Sequence, residues 1–77
     1  MTEIVLLNTV EKVNEFVSVI KQFNSEFDVK SGKSYIDGKS IMGLLSISRD
    51  VPLQIDIQCT DNCEDIHNAL KPFLCYN

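Results

Sequence analysis

The stretch GKSIMGLLS, residues 38–46, decides the fold because it ends one predicted strand and begins a short helix. Gly38 and Lys39 interrupt the extended segment that precedes them. Ser40 then leads into an apolar run over residues 41–47, which is too short and too apolar for a surface helix of ordinary length. The pattern predicts one or two helical turns that pack onto the core.

Strand signals lie on both sides of this short helix. Before it, apolar and polar residues alternate over residues 27–30, the turn 31–33 follows, and residues 34–37 extend again, which is typical of a β-hairpin. After it, Val51-Pro52 restarts an extended chain, and strict alternation over residues 53–59 predicts a strand with one polar face.

The beginning of the chain predicts a strand followed by a helix. Residues 3–7 form a short β-branched and leucine-rich run that suits a buried strand. Asn8 and Thr9 are good helix-capping residues, and Glu11 stands at the capping-box distance from Asn8. Helical spacing over residues 10–22 then gives one apolar stripe, formed by Val10, Val13, Phe16, Val17, Ile20 and Phe23.

A last helix is indicated near the end of the chain. Asp61 and Glu64 suit its first turn, and its apolar positions are Ile66, Ala69, Leu70, Phe73 and Leu74. Pro72 lacks the amide that a continuous helix would use, so we expect a break or kink near Lys71.

The order β-α-β-β-α-β-α predicts the α+β class. Each strand has one polar face and each helix has one apolar stripe, so the economical packing is a four-stranded antiparallel sheet with three helices on one face. No repeat, linker or low-complexity tract divides the sequence, and we expect residues 1–77 to form a single domain.

Charge and composition exclude several classes of function. The net charge is −4 and the basic residues are scattered, which argues against a nucleic-acid partner. The N-terminal apolar run has only four residues and no basic segment before it, so it predicts neither a signal peptide nor a membrane span. A cytoplasmic location is the corresponding expectation.

The cysteines are three in number and lie close together, at positions 59, 63 and 75. An odd count within the last nineteen residues is a poor disulfide framework, so we expect reduced thiols. Cys59-x₃-Cys63-x₃-His67 is not a usual zinc spacing and lacks a fourth ligand, and we expect no metal and no cofactor. Cys63 and His67 could instead form an activated thiol pair, against which stands the simpler interpretation of a solvated helix face.

The segment Lys39-Ser40-Ile41-Met42-Gly43-Leu44 resembles the surroundings of the regulatory serine in HPr, the histidine-containing phosphocarrier of the bacterial sugar phosphotransferase system. Extending the match backwards without gaps places Phe16, Val17 and Phe23 on apolar positions of the family's first helix. The resemblance covers most of the chain and implies an HPr-like open-faced sandwich.

The sequence departs from the family where the carrier chemistry occurs. The acceptor histidine position is occupied by Thr9, the arginine position by Glu11 and the following proline position by Lys12, and residues 1–66 contain no histidine. The family's carrier reaction needs an imidazole nitrogen as nucleophile, a cation that holds the phosphoryl oxygens and helix amides that receive them. The resemblance therefore implies a binding or regulatory protein that is not an enzyme.

The serine segment carries the remaining site predictions by resemblance. Ser40 is the expected phosphorylation site, although it could serve only as a helix cap. Ile41, Met42 and Leu44 correspond to the apolar surface through which HPr binds its kinase, a transcription regulator and phosphotransferase enzymes, although they could equally belong to the core. Two alternatives stay open: a phosphocarrier that uses Thr9 or His67 as acceptor, and a structural interaction domain without any phosphotransferase role.

Overall fold

Four strands and three α-helices follow one another in the predicted order in the computed structural model, which describes residues 1–75. The strands are β1 (Thr2–Val5), β2 (Glu26–Ser31), β3 (Ser34–Asp37) and β4 (Leu53–Gln58). The helices are α1 (Val10–Ile20), α2 (Ile41–Leu45) and α3 (Cys63–Leu70), and a 3-10 turn covers Lys71–Phe73. Within the described residues, no helix has both the length and the apolar character needed to cross a bilayer.

The strands form one antiparallel sheet in the order β1-β4-β2-β3. In the central pair, Phe27 lies opposite Ile57 and Val29 lies opposite Ile55, and all four side chains are buried. Because successive residues of a strand point to opposite faces, these side chains share one face of the sheet, which the helices cover. The predicted α+β open-faced sandwich is confirmed.

The core fills the space between the helices and the sheet. The rings of Phe16 and Phe73 meet edge to face, with centroids 5.7 Å apart and planes at 88°. Full burial of an aliphatic or aromatic side chain contributes about 1.5–3 kcal/mol, on which a chain of this size depends. The core residues are Val5, Leu7, Val13, Phe16, Val17, Ile20, Phe27, Val29, Leu44, Leu53, Ile55, Ile57, Ile66, Leu70 and Phe73.

A row of carboxylates crosses the open face of the sheet. The register places Asp28 between Asp56 on one neighbouring strand and Asp37 on the other. Like charges directly opposite each other destabilise a sheet, so hydrogen bonds to this row matter. Gln54 donates to the carboxylate of Asp56 over 3.1 Å and Thr2 over 3.2 Å, and these bonds hold the pKa of Asp56 below its usual value of 3.8.

The predicted hairpin between β2 and β3 is a two-residue turn. Ser31 and Ser34 close the ladder, and Gly32, the first residue of the turn, has a φ of 60°. Glycine adopts this left-handed conformation at little cost, and its position is that of a type II′ turn.

Helix α3 ends where the proline predicts. Its last residue is Leu70, and Pro72 lies within the 3-10 turn that follows. The chain then returns along β1, where Leu74 pairs with Val5. The predicted break near Lys71 is therefore confirmed, and it lets the Phe73 ring enter the core.

The expectation of three reduced thiols is wrong for two of the cysteines. The structure joins Cys59 and Cys63 in a disulfide and leaves Cys75 as a free thiol. Cys59 directly follows β4 and Cys63 is the first residue of α3, so the tight connection between these elements brings the two Cα atoms to 5.4 Å. An odd count of cysteines does not reveal this local pairing.

Candidate functional site

Thr9 occupies the N-cap of α1, where the family's acceptor histidine was expected to fall. Its hydroxyl oxygen Oγ1 accepts a hydrogen bond from the backbone amide of Lys12 over 3.1 Å. Glu11 lies exposed in the same first turn. The carboxylate of Glu11 interacts favourably with the positive end of the helix dipole but repels an incoming phosphoryl group. Thr9 and Glu11 therefore suit the start of a helix better than phosphoryl transfer.

A cation reaches the segment before Thr9 from a different part of the chain. Arg49, in the connection between α2 and β4, donates from Nη1 to the carbonyl oxygen of Leu7 over 3.1 Å. Its Nε is buried and has no hydrogen-bond partner among residues 1–75. Arg49 is the only arginine in the sequence, but a contact across 42 positions leaves no local pattern from which it could be predicted.

Ser40 is the N-cap of α2. Its Oγ accepts a hydrogen bond from the amide of Gly43 over 3.1 Å, and its own amide donates to the carbonyl oxygen of Asp37 over 3.0 Å. The side chain is partly buried. A structural role for Ser40 as a cap is therefore established, and phosphorylation of Ser40 stays a prediction.

Lys39, next to Ser40, contacts the connection between α1 and β2. Its Nζ donates to the carbonyl oxygen of Phe23 over 2.7 Å and lies 5.7 Å from the centre of the Phe27 ring. A carbonyl partner and a cation–π contact both stabilise a partly buried ammonium group. Lys39 thus links the serine segment to the connection between α1 and β2 and to β2 itself.

The predicted apolar surface of α2 divides between solvent and core. Met42 is 80% exposed and Ile41 is 36% exposed, whereas Leu44 is 0% exposed. Leu44 lies in the core because helical geometry turns it towards the sheet, and it is not available to a partner as the resemblance implied. Leu45, at 37% exposure, takes its place at the surface.

His67 lies away from the serine segment, on α3. Its Nδ1 is 3.0 Å from Oε1 of Glu3 on β1, which links the last helix to the first strand. The contact leaves Nε2 as the nitrogen for any further role. Glu3 contacts the imidazole, and Glu64 and Asp65 add negative charge to the same helix, which disfavours a phosphoryl group at His67.

The residues considered for zinc do not form a metal site. The sulfurs of Cys59 and Cys63 are bonded to each other and are not thiolates. Across residues 1–75, no group of three or more histidine, cysteine, aspartate or glutamate side chains is arranged to hold a metal ion.

Comparisons with known proteins point to one family. The family model described as "PTS HPr component phosphorylation site" matches residues 11–74, a range that begins two positions after Thr9. No curated protein sequence matches the chain.

Solved HPr structures share the fold at low sequence identity. A phosphocarrier protein HPr from Bacillus anthracis superposes with a TM-score of 0.72 at 18% identity, covering 97% of this chain and 96% of that one. HPr-C-His from Thermoanaerobacter tengcongensis gives 0.72 at 21% identity, with coverages of 91% and 85%. The histidine-containing phosphocarrier protein of a Mycoplasma gives 0.70 at 14% identity, with coverages of 94% and 86%.

Proposed function

Because the chain belongs to the HPr family, we propose that it is a non-catalytic regulatory or binding protein of the sugar phosphotransferase system, located in the cytoplasm and controlled by phosphorylation of Ser40. The observation that carries the proposal is Thr9 at the N-cap of α1, with Glu11 beside it. The fold that presents the acceptor is retained, while the acceptor itself is replaced.

The chemistry at Thr9 supports the loss of carrier activity. An alcohol needs a neighbouring base to become a nucleophile, whereas a neutral imidazole already has a free nitrogen lone pair. The hydroxyl oxygen of Thr9 accepts the hydrogen bond from the Lys12 amide, and the carboxylate of Glu11 lies in the same first turn. A phosphoryl group would meet repulsion where the reaction requires a cation.

The α2 surface supports a role in binding. Ile41, Met42 and Leu45 expose apolar side chains on a helix of only five residues, and methionine adapts to partners of different shape. By family resemblance, the partners are an HPr kinase, a transcription regulator or phosphotransferase proteins.

Phosphorylation of Ser40 would act directly on this surface. The phosphate would add about −1.5 to −2 charges at the residue next to Ile41 and would replace the Oγ acceptor of the Gly43 amide. A dianion beside an apolar patch penalises partners that bury it and favours partners with basic groups. Ser40 would therefore select between two classes of partner.

Intact mass measurement tests the carrier half of the proposal. We expect no acid-labile phosphoryl adduct after incubation with phosphoenolpyruvate and the general phosphotransferase enzyme, under conditions that label an ordinary HPr. The matched control is Thr9→His combined with Glu11→Arg, which restores imidazole and cation. Labelling of this variant alone would show that positions 9 and 11 account for the loss of carrier activity. Rapid labelling of the unmodified chain would refute the proposal that it is not a carrier.

A serine kinase assay tests the regulatory half. Incubation with HPr kinase and ATP is expected to add one phosphoryl group, and Ser40→Ala is expected to abolish the addition. An unmodified chain would exclude control through Ser40 and leave the binding role alone.

The same measurements distinguish the two alternatives. An acid-labile adduct that disappears in His67→Gln would identify His67 as a carrier site, and an acid-stable adduct that disappears in Thr9→Ala would identify Thr9. If neither enzyme modifies the chain and no phosphotransferase protein binds it, a structural interaction domain is the remaining function.

A further inference from the structure

The disulfide at the β4–α3 connection has no role in the proposed function. Cys59 continues the inward-facing positions of β4 and packs against the core, while Cys63 begins α3. Both residues are half-buried, so solvent reaches the pair. We propose that Cys59 and Cys63 form an exchangeable dithiol–disulfide pair that is reduced by cellular dithiols and reoxidised by low-molecular-weight disulfides.

The shortness of the loop favours exchange. Only three residues separate the two cysteines, so the bond restricts the unfolded chain little. A thermodynamic cycle links folding stability to the ease of reduction. If a disulfide adds little to the folding stability, folding in turn protects that disulfide little against reduction. The pair therefore differs from the long-range bridges that hold small secreted domains together.

The position of Cys63 favours its sulfur as the point of attack. Asn62, the N-cap of α3, makes no side-chain hydrogen bond to the first turn, so it leaves the amides of that turn without a capping acceptor. Unpaired amides and the helix dipole stabilise a Cys63 thiolate despite the repulsion of Glu64 and Asp65 in the same turn, so in the reduced protein Cys63 is the thiol that attacks a disulfide. By microscopic reversibility, the sulfur of Cys63 is also the one attacked during reduction. Cys59 is shielded by its packing against the core.

The reduced state also has its hydrogen bond prepared. Sγ of Cys63 lies 3.8 Å from the carbonyl oxygen of Thr60, a distance at which a thiol can donate a hydrogen bond. In the disulfide, this sulfur has no hydrogen to donate. After reduction, the Cys63 thiol therefore has a hydrogen to donate to this carbonyl oxygen.

The exchange is a two-electron reaction in two steps. A thiolate of the reductant attacks Sγ of Cys63, forming a mixed disulfide and breaking the bond to Cys59, which leaves as a thiolate and takes up a proton. The second thiol of the reductant then displaces Cys63, which also takes up a proton, and the dithiol is released as a disulfide. Reoxidation reverses these steps with a disulfide such as oxidised glutathione.

The cytoplasmic location, which is part of the proposed function, also favours an exchangeable pair. Disulfides in that compartment are mostly transient, redox-sensing or catalytic. The test below uses no phosphotransferase component, so it can fail independently of the proposed function.

Counting alkylated thiols by intact mass tests the exchange. After oxidised glutathione, the native protein is expected to add no more than one N-ethylmaleimide, at Cys75, because glutathione can also form a mixed disulfide with that thiol. After treatment with dithiothreitol without denaturant, and removal of the dithiothreitol, it is expected to add three. The control Cys75→Ser should change these numbers to none and two. Three labels in oxidised glutathione would show that the pair does not form, and one label until denaturant is added would show a locked bridge; either result overturns the proposal.

Two single-thiol variants test the direction of attack. Cys59→Ser leaves Cys63 with its helix amides, and Cys63→Ser leaves Cys59 against the core; both are combined with Cys75→Ser. We expect the Cys63 thiol to form a mixed disulfide with oxidised glutathione several-fold faster than the Cys59 thiol. The opposite order would overturn Cys63 as the attacked sulfur.

Discussion

At Gly43, the backbone of α2 approaches β3 so closely that a side chain does not fit. A Cβ atom at this position would lie 2.7 Å from Cγ2 of Ile36 and 3.2 Å from Oγ of Ser40. The same glycine donates its amide to Ser40, so the helix, its cap and β3 meet at one residue. The glycine in the stretch that decides the fold is thus required by contact with the sheet.

The variant Gly43→Ala is expected to lower the free energy of unfolding by about 1–3 kcal/mol, because α2 must move away from Ile36. Urea unfolding measures the loss. Ile36→Ala removes the opposing methyl group, so the double variant should lose less than the sum of the two single variants. Simple additivity would contradict the close contact.

Asp56 gives the molecule a pH dependence whose sign is fixed by its hydrogen bonds. The hydrogen bond from Gln54 is the largest of the causes that lower the pKa of Asp56 below 3.8. The ionised carboxylate therefore stabilises the fold above pH 3.8, and this contribution is lost as the pH falls through the lowered pKa. In an NMR titration of the carboxyl carbon, Gln54→Ala should move the midpoint upwards. Thr2→Ala should give a smaller upward shift, and an unchanged midpoint in both variants would contradict the assignment.

Among the elements, α2 combines a fixed side and a free side within five residues. Leu44 is buried in the core, whereas Met42 is almost fully solvated. Thr9 and Ser40 cap their helices in the same manner, each accepting a bond from the amide three residues later. The helices α1 and α2 therefore begin with the same kind of capping hydrogen bond.

Substitutions on the two sides of α2 should separate binding from stability. Met42→Ala is expected to change the unfolding free energy by no more than about 0.5 kcal/mol and to weaken binding to HPr kinase, measured by calorimetry. Leu44→Ala is expected to cost about 2–5 kcal/mol of stability. Unchanged kinase binding by Met42→Ala would exclude this surface as the docking site.

For the whole molecule, the disulfide is a minor part of the stability. Closure of so short a loop is worth about 2 kcal/mol by chain entropy, against about 5–15 kcal/mol for an ordinary small domain. We expect the reduced protein to keep its far-ultraviolet circular dichroism and to unfold at a lower urea concentration. Cys59→Ser should reproduce the shift and Cys75→Ser should not; unfolding on reduction would contradict this estimate of loop entropy.

Local patterns predicted most of the architecture, and contacts between distant residues account for what they missed. The alternation of Leu53, Ile55 and Ile57 identified β4, and Pro72 identified the end of α3, because both signals are contained within a few positions. The burial of Leu44 depends on how α2 sits on the sheet. The contact of Arg49 with Leu7 depends on how distant segments meet.

The path of the chain after Pro72 determines how the sheet can meet other sheets. The amide of Leu6 donates to the carbonyl of Phe73 and the amide of Cys75 donates to the carbonyl of Ile4, so the end of β1 is already paired on its outer side. The opposite border is β3, which has only four residues and ends at Asp37. An unpaired edge strand is a template for edge-to-edge aggregation. Here the end of β1 is paired on its outer side, and β3 is short and ends at a charged residue. Residues 73–75 thus hinder the addition of strands from other molecules at this edge of the sheet.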